Sequence, residues 1–350
     1  MSRELENRTA WLPQQKAYPM TVSSGPVPEP KGTEVLVRVR AVAINPCDWA
    51  VQILGLVVKA ERYPYINGVD VAGEIVSVGP ENTRFNIGDR VTAMATMFFS
   101  KGPSYGAFQE YMLGVDPLVA KIPDHVSFKE AAVLPLGLST AIHQLFTKDG
   151  LALDYPRVGT PVNSKGKVVI VWGGSSSVGA NAIQTAKAAG YTVAATASKK
   201  NFGLMEEIGV DYIFDYNSDN VVEEIVATLK NREPLAGIFD AIILESTIRA
   251  CADIASKLEG NKHVGTVLAP GMPLPTGTPE GVKLSLNELS FIESEVGRAI
   301  WVDWLSDALA DGSMKCKPNP ELVGRGLEKI QDAVDLMGKG VSAKKLAVEL

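Results

Sequence analysis

The chain has 350 residues, too long for one ordinary core and short for three, so two domains are expected. Apolar residues make up 46% and charged residues 21%, which excludes a disordered chain. Lys and Arg number 34 against 40 Asp and Glu, and the net charge of −6 argues against broad attraction to nucleic acid or to an anionic membrane surface.

No apolar run reaches the roughly 18 residues of a membrane span, and the N-terminal segment has no apolar stretch of the secretory-signal kind. Cys47, Cys251 and Cys316 are odd in number and far apart, and His125, His143 and His263 are equally scattered. Neither a disulfide framework nor a structural zinc site is expected. A reduced, cytoplasmic, enzyme-sized protein is the expectation.

The first third reads as β-rich. Residues 34–43 alternate, with Val35, Val37 and Val39 on one face and Glu34, Leu36, Arg38 and Arg40 on the other, a half-buried strand. Residues 68–79 form an apolar run bounded by glycines. A Gly-Asp turn in 85–91 leads into a strand through 92–94, and 107–113 is a further strand candidate. Many short strands with Gly and Pro punctuation point to a small barrel or sandwich. Residues 129–145 turn helical, interrupted by Pro135 and Gly137 into two short helices or one kinked one. Residues 150–165 carry Pro156 and Pro161 without periodicity and read as an exposed connection.

At Lys167 the pattern changes. Residues 167–172 (KVVIVW) are a continuous apolar strand, followed at once by Gly173-Gly-Ser-Ser-Ser-Val-Gly179, a helix to Ala189, and a second strand over 191–197. Strand, glycine loop, helix and strand within about thirty residues is the context a dinucleotide fingerprint requires. The alternation continues: helices at 201–208, 221–229 and 248–258, strands at 212–214, 237–244, 262–268 and 282–286. That is a doubly wound parallel sheet, an α/β fold. Helices are expected over 293–310 and 326–338, and a last strand over 346–349 that could rejoin the first domain.

The end of the second strand selects the cofactor. An acid there would accept from the ribose hydroxyls of NAD and repel a 2′-phosphate. The sequence instead has Ser198-Lys199-Lys200-Asn201, with no acid until Glu206. Two cations and a hydroxyl suit a 2′-phosphate, so NADPH is expected over NADH. A plainer reading makes Ser198 a helix N-cap beside a solvated lysine pair.

With these motifs in this order, the chain resembles the medium-chain dehydrogenase/reductase superfamily. More narrowly, it is similar to the zinc-free fungal branch that includes stand-alone, trans-acting enoyl reductases serving polyketide synthases, and to quinone oxidoreductases. The residues that carry this are Asn45-Pro46-x-Asp48, Leu134 to Thr140, Trp172 to Gly179, Ala195 to Asn201, Phe214-Asp-Tyr216 and Lys339 to Lys345. The resemblance implies a GroES-like β-barrel catalytic domain over 1–150 and 290–350, and a Rossmann domain over 151–289. It implies NADPH contacts from Cys47, Asp48, Trp49 and Ala50 beside the nicotinamide ribose. Gly174, Ser175, Ser176, Ser177 and Val178 would meet the pyrophosphate, and Ser198, Lys199, Lys200 and Asn201 the 2′-phosphate. Tyr216 would pack near the adenosine, with Leu268, Ala269, Val341 and Ser342 closing the pocket.

Zinc-dependent relatives place ligands at positions that hold Asn45, Val69 and Asp70 here, so no metal is expected. The branch usually carries a lysine where this chain has Ala50, which leaves Ser139 and Thr140 as the nearest candidate proton sources. The activity implied is reduction of an activated C=C bond, in an enoyl or enone substrate of fungal polyketide-type secondary metabolism. The substrate would be a small molecule or carrier-bound, with a polyketide synthase as possible partner and neither nucleic acid nor membrane. A quinone or carbonyl reductase, or an NADPH-binding protein without redox turnover, stands as the alternative.

Overall fold

The computed structural model describes residues 5–100, 102–159, 164–288 and 295–350. The chain divides into two compact units, Met1–Leu136 with Asn319–Leu350, and Gly137–Pro318.

The first unit opens with an antiparallel pair, β1 (Asn7–Leu12) and β2 (Thr21–Gly25), followed by β3 (Val35–Ala43). The alternation of β3 is met at Val35, Val37 and Val39, which are buried, and Arg38, which is exposed. Leu36, on the other face, is buried too, in a small cluster with Tyr111 and Leu113. After the short helix α1 (Pro46–Trp49) come β4 (Tyr65–Ile66), β5 (Asp70–Val78) and β6 (Arg90–Met94). β7 (Tyr111–Gly114) and β8 (Val119–Lys121) follow. β4 joins β1 and β2 in a three-stranded sheet.

The interrupted helix resolves into two, α2 (Phe128–Ala131) and α3 (Pro135–Phe146). Pro135 heads the second, where a missing N–H costs nothing. Gly137 does not break α3. It lies where a Cβ would come within 2.5 Å of Ser177 Oγ, so its bareness serves close packing.

The second unit is a six-stranded parallel sheet built on β9 (Val168–Trp172), β10 (Thr192–Ala197) and β11 (Tyr212–Asp215). β12 (Leu235–Asp240), β13 (His263–Thr266) and β14 (Lys283–Ser285) complete it. The order is β11-β10-β9-β12-β13-β14, the doubly wound arrangement, with its switch point between β9 and β12. Its connecting helices include α4 (Ser177–Ala188), α5 (Phe202–Glu207), α6 (Val221–Leu229) and α7 (Glu245–Lys257). The helix expected from 293 is α8 (Glu295–Gly297), a π turn over Arg298–Val302, and α9 (Leu305–Asp311); residues 293–294 lie outside the described residues.

The chain then returns to the first unit with β15 (Pro320–Arg325), α10 (Lys329–Gly338) and β16 (Lys345–Glu349). β16 pairs antiparallel with β3, so the expected last strand does rejoin the first domain. The sheet there runs β15-β16-β3-β5-β6-β8, with β7 also on β3.

The division at 136/137 and 318/319 differs from boundaries at 150 and 290. Hydrogen bonds show why. Gln144 of α3 donates from Nε2 to Thr266 O at 2.9 Å, and Asn287 Nδ2 donates to Thr140 O at 2.8 Å. At the other end, Lys315 N donates to Gln184 Oε1 at 2.8 Å and Lys317 pairs with Glu207 at 2.7 Å. Both stretches therefore belong to the parallel sheet's unit.

Candidate active site

The glycine loop leaves β9 at Trp172 and turns under the end of β10. Gly173, at φ +80°, donates from N to Thr196 Oγ1 at 3.0 Å, and Gly174 N donates to Thr196 O at 2.8 Å. A Cβ at Gly179 would lie 2.3 Å from Gly173 O, so only glycine lets α4 start this close to the strand. Ser176 caps α4, its Oγ accepting from Gly179 N at 2.9 Å. Ser175, Ser176, Ser177 and Val178 stay half-buried at the N-terminal end of a twelve-residue helix, the arrangement that receives a pyrophosphate.

Ser198 follows β10. It is 8% exposed and its Oγ has no hydrogen-bond partner. Ser198 stands at the N-cap position of the 3-10 turn Lys199–Asn201, but its side chain makes no capping bond. A buried hydroxyl left unpaired costs about 1–3 kcal/mol, so an incoming polar group has something to gain here. Asn201 Nδ2 donates to Ser175 Oγ at 3.3 Å and ties this turn to the loop. Lys199 and Lys200 are exposed, and Tyr216 is 45% exposed. The loop, the start of α4 and this turn fit a nicotinamide dinucleotide.

One residue escaped the sequence reading. Asp215 ends β11, in register with Ala197 of β10, and its Oδ2 lies 3.9 Å from Lys199 Nζ. Along the chain the first acid after Ser198 is Glu206; across the sheet it is Asp215. Aligning the ends of consecutive parallel strands is the signal that would have found it.

In the first unit, α1 carries Cys47, Asp48 and Trp49, and Ala50 opens a π turn. Asp48 was expected to touch the cofactor. It is fully buried, and its Oδ2 accepts from Asn45 N at 2.8 Å, which shapes the start of α1. Its Oδ1 has no partner, and burial pushes the carboxyl up to about 7. Cys47 is half-buried, its thiol pushed up by burial and by Asp48. Trp49 packs beside Gly338, where a Cβ would meet its Nε1 at 2.4 Å. Val341 and Ser342 follow a few residues later, both exposed.

Beneath α1 lies a buried ionic trio. Lys345 Nζ is 2.8 Å from Asp70 Oδ2 and donates also to Asn45 Oδ1. Asn45 Nδ2 donates to Asp70 Oδ2 at 2.9 Å, and Leu136 N to Asp70 Oδ1 at 2.7 Å. The Lys345 and Asp70 side chains are 4% and 0% exposed. Asn45 and Asp70 thus hold an ammonium, and Val69, the third position aligned with zinc ligands, is a buried apolar residue. Lys345 was not singled out from the sequence, since a lysine near a chain end usually reads as solvated.

In the second unit Ser139 is fully buried with its Oγ unpartnered, while Thr140 is half-buried. Of the two hydroxyls considered as proton sources, Thr140 is the more exposed. Leu268 lines a cavity of about 310 Å³ with Ile243, Ile248 and Met272, and Ala269 beside it is exposed.

A doubly wound unit with a glycine loop, joined to a β-rich unit completed by the chain's return, defines a dinucleotide-dependent dehydrogenase. Residues 31–124 match the alcohol dehydrogenase GroES-like domain, and residues 177–309 match the zinc-binding dehydrogenase family. Over 98% of its length the chain is 37% identical to 99% of "Dehydrogenase pigH" of Monascus ruber. It is 36% identical, over 99% of its length, to 98% of "Trans-enoyl reductase himH" of Aspergillus japonicus. An alcohol dehydrogenase superfamily protein from Novosphingobium aromaticivorans superposes with a TM-score of 0.80 at 22% identity, covering 98% of this chain and 99% of that one. The chain belongs to the medium-chain dehydrogenase/reductase superfamily, among the fungal dehydrogenases and enoyl reductase-like proteins. It is an oxidoreductase whose fold takes a nicotinamide dinucleotide.

Proposed function

We propose that the chain is an NADPH-dependent, zinc-independent reductase of an activated C=C bond, acting on an enoyl or enone intermediate of polyketide-type metabolism. The observation that carries this reading is the donor set at Asn45, Val69 and Asp70. An amide and a carboxylate there are bound to the Lys345 ammonium, and the third position is apolar. Such a set offers neither thiolate nor imidazole to a zinc ion. Activation must then come from the substrate itself, and conjugation supplies it. Trans-enoyl reductases among the relatives support the same class of substrate. A carrier-bound substrate presented by a polyketide synthase is part of the same proposal.

When bound, NADPH would supply a hydride for the β-carbon of a conjugated substrate, whose carbonyl oxygen would take up the negative charge. The chain's part is placement. The α4 N-terminus and the serines of the loop hold the pyrophosphate. Ser198, Lys199 and Lys200 receive the 2′-phosphate with charge-assisted bonds. The α-carbon takes a proton from water or from the Thr140 hydroxyl. Ala50 puts a methyl group where the branch usually has an ammonium, so no cation from that position meets the oxyanion.

The test is to follow NADPH absorbance with purified protein and a panel of enoyl thioesters, enones and quinones. Oxidation with enoyl thioesters or enones, at well under one zinc per chain, is expected. Cofactor binding with no oxidation anywhere on the panel would replace this reading with a non-redox one. Turnover of quinones alone would replace it with a quinone reductase.

A further inference from the structure

We infer that Asp215 is a specificity-determining residue of the nucleotide site, a built-in anion that competes with the 2′-phosphate for Lys199. This deepens the NADPH reading and rests on it. The parallel register sets Ala197 of β10 against Asp215 of β11, so the two strand ends that flank the adenosine side of the loop deliver Ser198 and a carboxylate side by side. The carboxylate is fixed. Its Oδ1 accepts from Asn217 N at 3.0 Å and from Asn217 Nδ2 at 2.9 Å. Its Oδ2 remains directed at Lys199 Nζ, 3.9 Å away. The Asp215 side chain is 16% exposed and that of Lys199 81%, so the acid is held and the lysine is free to move. The hydrogen bonds from Asn217 keep the carboxyl below the usual range, so it is charged at neutral pH.

Two consequences follow from that placement. A bound 2′-phosphate draws Lys199 away from Asp215 and lies near a like charge, which weakens NADPH. Lys200 has no ion pair among the described residues, so its whole charge is available to the phosphate. The ordinary acid that selects NADH sits at the end of the second strand of such a sheet, and here that place holds Ser198. Asp215 enters from the neighbouring strand instead. It moderates the preference for the phosphorylated cofactor without reversing it.

The experiment is titration calorimetry of the intact protein with adenosine 2′,5′-bisphosphate and with AMP, a pair that differs by the 2′-phosphate alone. Asp215→Asn keeps the acceptor for Asn217 N and removes the charge. It should tighten the bisphosphate by about two- to fivefold, the range of a partly exposed charge pair, and leave AMP within about twofold. Lys199→Ala should cost more affinity for the bisphosphate in the Asp215→Asn background than in the wild type, because the competing anion is gone. Unchanged or weaker bisphosphate binding in Asp215→Asn, or equal effects of Lys199→Ala in both backgrounds, overturns the role of Asp215. Equal affinity of the wild type for the two probes counts against the NADPH reading. If Asp215→Asn then creates a preference for the bisphosphate, the role of Asp215 stands even though that reading falls.

Discussion

Lys345 and Asp48 are two neighbouring buried ionisable groups that behave oppositely. Lys345 has a carboxylate and an amide oxygen within reach, so its charge is compensated where it stands. Truncating one partner of such a pair leaves the other buried and bare. Lys345→Met should therefore lower unfolding free energy by about 3–5 kcal/mol, measured by urea denaturation. The change Lys345→Met with Asp70→Asn should recover part of that loss; no recovery would mean the ammonium is not what Asp70 needs. Asp48 has one oxygen without a partner and a carboxyl pushed up to about 7 by burial. Below about pH 4 it is protonated both folded and unfolded. Between there and pH 7 the unfolded chain ionises while the native state keeps its proton, so stability falls as pH rises, then levels off. Asp48→Asn removes this contribution. The stability difference, wild type minus variant, should fall by up to about 4 kcal/mol between pH 4 and 8. Asp240, also pushed up to about 7 by burial, cancels in that difference. A flat difference would show that Asp48 is ionised in the native state.

At the scale of elements, the sequence was most readable where local pattern and packing agree. β9 is five buried residues and was plain as an apolar run; the loop after it was plain from its glycines. Gly179→Ala should show how tightly that loop is built. A methyl 2.3 Å from a backbone oxygen has nowhere to go. Stability should drop by about 1–3 kcal/mol, as overpacking does. NADPH affinity, followed by fluorescence titration far below the melting point, should drop more than tenfold because α4 is displaced from the phosphate position. Intact affinity would mean the loop tolerates a shift of α4. Other elements were not readable. β2 is a mostly exposed Thr-Val-Ser-Ser-Gly run, and β15 carries Pro320 and Gly324 with no alternation. Each is a strand because of a partner far away in sequence or a hairpin, not because of its own residues. The candidate site divides the same way. Residues within one motif, such as Ser175 to Val178, could be named from the sequence as candidates. Asp215 and Lys345 could not, because each meets its partners across strand pairings: Asp215 with the neighbouring β10, and Lys345 with Asn45, 300 positions away, and with Asp70.

For the whole molecule, the return of β16 has a consequence in time. The far edge of β3 is shared: β7 pairs with Val35–Arg38, and β16 pairs with Ala41–Ala43. Asn45 and Lys345 are 300 residues apart. At a synthesis rate of about 5–20 residues per second, about 15–60 s pass between making one and making the other. Throughout that interval the end of β3 is an unpaired edge and Asp70 is a buried-to-be acid without its cation, and the parallel unit, complete only at Pro318, can close just before Lys345 is made. A nascent chain is thus half folded in an order opposite to its sequence, the middle before the beginning. A chain halted after Pro318 should yield a protease-resistant fragment within 137–318 and rapid cleavage within 1–136. Equal resistance of both stretches would show that the first unit holds its shape on the ribosome without its last strand.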